Sequence, residues 1–258
     1  MIDIQALLAG TFLEHAEHHA VLDSTQTRAR ALAEDAAAEK VSLPALVVAD
    51  SQTAGRGRAS NRWWTGEGSL AFSVIVDPKQ FGFPRRAVPR LSLAVGVAII
   101  DALAPRLVDF PPGLHWPNDV YVGQGKLAGI LVEVLPAGWH IIGVGLNCNN
   151  TAADAPPELR DSIATLRDLT GRTYDHTELL LAILENLEAA LAQLGQPMET
   201  IGERFELLCR QRGEMLTVYQ GQQTITGRCA GIASDGALLL DTPSGRQNVL
   251  SGTLQPPK

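Results

Sequence analysis

Between residues 45 and 149 the chain gathers its apolar residues into short, nearly uninterrupted runs: ALVVAD (45–50), SLAFSVIV (69–76), KLAGILVEVLP (126–136) and WHIIGVGLNCN (139–149). Runs this short, rich in Val and Ile and bounded by turn-forming residues, read as buried strands. Pro136-Ala137-Gly138 joins the last two as a hairpin turn. HHAVLD (18–23) reads as a further short strand. Three segments carry helical spacing instead. STQTRARALAEDAAAEK (24–40) is Ala-rich, with Ser24 or Thr25 as its cap. AVPRLSLAVGVAIIDALA (87–104) tolerates Pro89 because it falls near the start. DHTELLLAILENLEAALAQLG (175–195) opens with a D-x-x-E capping box. TAADAPPELRDS (151–162) reads as a loop. The order of these elements predicts an α/β fold, an α+β mixed sheet with flanking helices.

From about Met215 the pattern changes. MLTVYQ, QTITGRCAGI, ALLLDT and RQNVLSG are short β-runs separated by turn signals at Ser234-Asp235-Gly236 and Ser244-Gly245. Strands so closely spaced predict a small β-barrel appended to the first domain. The expected division is residues 1–212 and 213–258. No internal repeat and no low-complexity segment interrupts this plan.

Composition narrows the function classes. No window reaches the ~18 uninterrupted apolar residues of a membrane span, and MIDIQALLAGTFLEH lacks the basic start and cleavage site of a signal peptide. Cys148, Cys209 and Cys229 form an odd, widely spaced set without CxxC, which points to a reducing cytoplasm rather than to disulfides or a zinc site. The formal charge of −7 argues against broad nucleic-acid affinity. GRGRASNR (55–62) and FPRRAVPR (83–90) are locally basic against that sign, which suits a small anionic ligand.

GRGRASNRWW (55–64) is therefore the first candidate site. It is not a dinucleotide fingerprint, because Ser60 replaces the third glycine and NRWW stands where a helix should start. Glycines let a backbone wrap closely round a ligand, and arginines grip carboxylate or phosphate bidentately. Trp63 and Trp64 add apolar area suited to stacking on a base or to a core. VGQGKLAG (122–129) is not a Walker motif, since the spacing is wrong and Leu127 replaces Ser or Thr. Lys126 is compatible with a snorkelling surface lysine or with an ammonium aimed into a pocket beside Gly129. WPND presents Asn118 and Asp119 on a proline turn, either as an Asx-type turn or as groups for phosphate and magnesium. Asn147, at the exit of GVGLN, bonds a ligand's polar edge or caps the turn. HAEHH (15–19) is neither HExxH nor HxxEH. No Ser/His/Asp set and no activated cysteine is visible, so the residues alone reach an anion-binding α/β enzyme without a covalent nucleophile.

LDSTQ, SQTAGRGRASNRWW, GSLAFSVIV, HWPNDVYVGQGKLAGILVE and IIGVGLN, in this order and spacing, resemble the biotin protein ligases, or biotin–[acetyl-CoA-carboxylase] ligases. GIASDGALLLDT…SG resembles that family's SH3-like C-terminal domain. The resemblance implies a class II aminoacyl-tRNA-synthetase-like catalytic domain, and a two-step reaction in which biotin and MgATP give biotinyl-5′-AMP. A lysine of a biotin carboxyl carrier protein then takes the biotinyl group. It implies ATP and Mg2+ as co-substrate and metal, with no tightly bound prosthetic group. Carried over residue by residue, the biotin contacts fall on Ser24, Thr25 and Gln26, on Gln52, on Arg56, Gly57 and Arg58, and on Lys126 with Gly129 beside it. Arg58 and Lys126 are the expected catalytic cations. Trp63, Asn118, Lys126 and Asn147 are expected on the nucleotide side, and Asp119 at the magnesium.

Two departures qualify the match. Met1 stands only some twenty residues before LDST, so a form without the DNA-binding N-terminal domain is expected, with no DNA and no membrane partner. His115 replaces the lysine or arginine often found before WPND. A lipoate or octanoate ligase or transferase on the same scaffold, or a non-catalytic small-acid binding protein, are the rival readings. An exposed sheet edge would allow a homodimer.

Overall fold

The computed structural model describes residues 2–84 and 88–254. The arginines of FPRRAVPR at 85 and 86, and the first residue of the helix expected from 87, lie outside the described residues. Two sheets organise the chain. The first follows helix α1 (Ile4–Gly10) and contains β1 (His15–Leu22), β2 (Ala45–Gln52), β3 (Leu70–Val76), β4 (Gly113–His115), β5 (Asp119–Val122), β6 (Gly125–Val134) and β7 (His140–Leu146). Their spatial order is β1-β2-β3-β7-β6-β5-β4. Only β1 and β2 run parallel; every other neighbouring pair is antiparallel.

The central strands β3 and β7 are buried along their whole length, which explains why their sequences show no polar alternation. One face lies under α2 (Thr25–Ala37): Ala29, Leu32 and Ala33 pack on Val47, Ile75 and Ile141. Alternate residues of the same strands, among them Val48, Phe72, Val74 and Ile142, face the larger core. That core is closed by α3 (Val88–Leu103) and α5 (His176–Leu194), with α4 (Leu166–Thr170) and α6 (Glu199–Leu208) at its margin. The stretch Val88–Arg106 is long and apolar enough to cross a membrane, but 72% of its apolar window is buried inside the protein, as a core helix requires. Asp175 caps α5, its carboxylate accepting from the Thr177 and Glu178 amides.

The second sheet is five-stranded and antiparallel, in the order β11-β10-β9-β8-β12, an SH3-like arrangement. It comprises β8 (Met215–Gln220), β9 (Gln223–Ile232), β10 (Leu238–Thr242), β11 (Gly245–Val249) and β12 (Thr253–Leu254). Its core residues Val218, Cys229, Ile232, Leu238, Leu240 and Val249 join the main core rather than forming a separate one. Buried Gln211, between the two sheets, accepts through Oε1 the amide proton of Trp116 at 2.7 Å. The three cysteines are free thiols.

Candidate active site

A cavity of about 560 Å3 opens on the face of the first sheet where β6 and β7 carry glycines. Gly129 lies opposite Gly145 in the ladder, and a Cβ on either would run into the Trp63 ring. Trp63 therefore lies against a floor stripped of side chains. Gly143, two residues along β7, makes the same room for the Gln26 amide.

One wall is the start of α2. Ser24 caps it by accepting from the Gln26 amide at 3.2 Å. Gln52, at the end of β2, accepts through Oε1 from the Thr25 amide at 2.8 Å and donates through Nε2 to Thr65 Oγ1 at 3.1 Å. Ser73 Oγ reaches both Thr25 Oγ1 at 2.9 Å and Gln26 Oε1 at 3.1 Å. These bonds fix the orientation of the Gln52 amide, as a ligand with fixed hydrogen-bonding edges needs.

The roof is the stretch from 55 to 63, a small clasp rather than an open loop. The Trp63 amide donates to the Gly55 carbonyl at 3.0 Å, the Gly57 amide to the Asn61 carbonyl at 2.9 Å, and Arg56 bridges to Arg62 across it. Gly55 is required because a Cβ there would strike the Trp63 carbonyl. The glycines thus serve the clasp's own closure, while the left-handed position at its tip is taken by Ala59, at φ 53°.

Two cations converge at the far end. Arg58 Nη1 donates to Asn118 Oδ1 at 3.2 Å and Nη2 to the Gly252 carbonyl at 3.1 Å. Burial lowers the pKa of its guanidinium, and the Asp119 carboxylate works against that shift. Lys126 Nζ pairs with Asp119 Oδ1 at 2.8 Å and stands 5.6 Å from the centre of the Trp63 ring. Lys126 is thus a pocket residue, not a snorkelling one. His115 stacks on Tyr121, centroids 4.3 Å apart, and burial lowers its pKa against the pull of Asp119. Burial, aided by Asp119, pushes the Tyr121 phenol up to about 12.

The structure brings together Ser24, Thr25, Gln26 and Gln52, then Arg56, Gly57, Arg58 and Trp63, then Asn118, Asp119, Lys126 and Gly129, all lining the cavity. It does not bring Asn147 there. That side chain donates to the Lys126 carbonyl at 3.1 Å and accepts from Asn150 at 3.0 Å, so it supports the strand carrying Lys126. Asn118 is also partly spent, donating to the Ile130 carbonyl at 2.6 Å while it holds Arg58. Asp119, expected at a magnesium ion, is instead the partner of Lys126. Among the described residues no group of three or more His, Cys, Asp or Glu could hold a metal, so these residues do not fit a resident ion. Ser73, Thr65 and Glu133 were missed. Glu133 had a signal: it is the one acid in KLAGILVEV, the natural counterpart of a basic clasp.

The profile of the Biotin/lipoate A/B protein ligase family matches residues 19–149, and that of the Biotin protein ligase C terminal domain matches residues 213–254. The bifunctional ligase/repressor BirA of Bacillus subtilis is 31% identical over 251 residues, covering 94% of this chain and 74% of that protein. The biotin–[acetyl-CoA-carboxylase] ligase of Mycobacterium tuberculosis is 34% identical over 210 residues, covering 80% of this chain and 76% of its own. The structure of the Aquifex aeolicus biotin protein ligase in complex with biotin and ATP superposes with a TM-score of 0.81 at 31% identity, over 94% of this chain and 98% of that one. With the clasp, the glycine floor and the paired cations lying inside the matched stretch, the chain belongs to the biotin/lipoate A/B protein ligase family.

Proposed function

We propose that the protein is a biotin protein ligase: it activates biotin with ATP and transfers it to a lysine of a biotin carboxyl carrier protein of acetyl-CoA carboxylase. The observation that carries this reading is the cavity's polarity. A wall of uncharged donors and acceptors at Thr25, Gln26 and Gln52 suits an uncharged ureido ring, and the cations Arg58 and Lys126, lining the same cavity, suit a carboxylate. The Aquifex protein of the same fold was solved with biotin and ATP.

In the first step a biotin carboxylate oxygen attacks the α-phosphorus of ATP. The bond from that phosphorus to the bridging oxygen breaks, and pyrophosphate leaves. Arg58 and Lys126 hold the carboxylate and the developing charge, while Trp63 offers its face to the adenylate. Magnesium enters as part of the MgATP substrate. In the second step the acceptor amine attacks the acyl carbon, the bond to the phosphate oxygen breaks, and AMP leaves. No enzyme nucleophile is needed. The closed clasp keeps water from the anhydride in between.

Pyrophosphate exchange into ATP with biotin, with lipoate and with no acid tests the reading. Exchange with biotin alone is the expected result; exchange with lipoate would change the substrate, and none with either acid would sink the ligase reading. Free thiols throughout favour a reducing cytoplasm as its location. Edge strand β1, with Val21 60% exposed, is where a second copy would pair, which sedimentation tests.

A further inference from the structure

Glu133 stands near the outer end of β6, and none of the steps above uses it. Its two oxygens are nonetheless fully engaged. Oε1 accepts from Arg56 Nη2 at 3.0 Å, and Oε2 accepts from Gln26 Nε2 at 3.0 Å while pairing with Arg30 Nη2 at 3.0 Å. One carboxylate thus joins the clasp, through Arg56, to the first turns of α2, through Gln26 and Arg30. Neither arginine pair has much energetic weight by itself, since Arg56 is 42% and Arg30 49% exposed.

The bond to Gln26 differs in kind. Gln26 is buried and lies in the cavity wall. An ionised carboxylate only accepts, so the amide must turn its Nε2 to Glu133. Its Oε1 then faces Ser73, whose hydroxyl donates at 3.1 Å, over the space left by Gly143. A neutral amide at position 133 would satisfy Gln26 in either orientation and would fix neither.

We infer that Glu133 is a positioning residue, whose contacts with Gln26 and Arg56 set the polarity of the cavity wall and tie the clasp to it. The inference rests on the biotin reading above, because a ureido ring has distinct donor and acceptor edges and distinguishes the two faces of the Gln26 amide. Its consequence is a coupling of the two ends of the site. Loosening the clasp weakens recognition of the ring, because Arg56 and Gln26 share Glu133 as their partner.

The test uses the full chain with Glu133→Gln, Glu133→Asp and, as a control, Arg30→Ala. Two readouts are taken: the rate of tryptic cleavage after Arg56, Arg58 and Arg62 without ligand, and the KM values and kcat of pyrophosphate exchange. In Glu133→Gln the expected result is faster cleavage in the clasp and a roughly tenfold rise in the biotin KM, with the ATP KM and kcat moving less. Glu133→Asp, which keeps the charge, should recover part of both, and Arg30→Ala should stay near the parent. Wild-type cleavage together with a wild-type biotin KM in Glu133→Gln overturns the inference. So does a uniform fall in kcat that merely follows a lowered melting temperature. If the parent shows no biotin-dependent exchange, the proposed reaction fails, while the cleavage comparison still decides whether Glu133 holds the clasp.

Discussion

The indole N–H of Trp116 donates to the carbonyl of Gly236, 3.1 Å away, and so hangs the turn that carries Asn118 and Asp119 from the second sheet. The Trp116 backbone amide is held as well, by Gln211, and the side chain is 1% exposed. The second sheet reaches the site again where Gly252 accepts from Arg58 and where Thr253 and Leu254 line the cavity. It is a support for the catalytic turn, not an appendage. Trp116→Phe keeps most of the ring, removes this bond and leaves a buried carbonyl unpaired, at a cost of about 1–3 kcal/mol. Denaturant unfolding should show that loss, and the ATP KM should rise more than the biotin KM as Asn118 shifts. Equal changes in both would mean that the bond matters for stability alone.

Arg58 draws together the clasp, the turn and the second sheet through Asn118 and Gly252. Arg58→Gly breaks both ties at once and frees the clasp's tip. Biotin should still be activated, more slowly for the loss of one of the two cations at its carboxylate, but the adenylate should escape. Free biotinyl-5′-AMP and labelling of amines on bystander proteins should appear together, read by chromatography and by avidin blotting. Retention of the adenylate would show that the clasp's other ties, Arg56 to Glu133 among them, are enough to keep it closed.

Much of this was legible in the sequence because the physics was local. β3 and β7 announced themselves as unbroken apolar runs, since both faces of the sheet are covered, and Asp175 and Ser24 marked their helix starts. Helix α6 did carry helical spacing, with Ile201 and Phe205 buried four residues apart, and was passed over, whereas three-residue β4 was too short to be read. Nor does spacing reveal that Trp116 anchors to a residue 120 positions on. Asn147 misled for a related reason. An asparagine leaving a strand looks the same whether it meets a ligand or, as here, the backbone of Lys126. The functions of Gly129 and Gly145 emerge only from their pairing, which puts two missing side chains under one indole.

That pairing predicts the outcome of adding a single methyl group. Gly145→Ala places a Cβ within the Trp63 ring and forces the indole off the floor. Overpacking of this kind costs about 1–3 kcal/mol, felt in unfolding. Displacing Trp63 also moves the group over which Lys126 lies, so exchange activity should fall by roughly tenfold or more, beyond what the lost stability explains. Intrinsic Trp fluorescence would report the shift directly. An active variant with unchanged emission would show that the floor has slack.

Glu17, on β1, lies away from the cavity and gives the fold a pH signature of its own. Arg28 grips it bidentately, Nε to Oε2 at 2.8 Å and Nη2 to Oε1 at 2.7 Å. That hydrogen-bonded pairing, opposed by partial burial and aided by His19, takes the carboxyl from the ordinary 4.5 down to about 2. A carboxylate whose pKa is depressed in the folded state contributes its stability above the unfolded value and loses it as pH falls through the folded one. The window is therefore from about 4.5 to about 2. Taken at face value the shift is worth about 3 kcal/mol, but the pair is partly open to solvent, and screening leaves roughly 1–2 kcal/mol. Glu17→Gln should lose that amount at neutral pH and show a flatter decline of melting temperature on acidification than the parent. Parallel curves for the two proteins would assign the acid sensitivity to other carboxylates and leave the Arg28 pair without net weight.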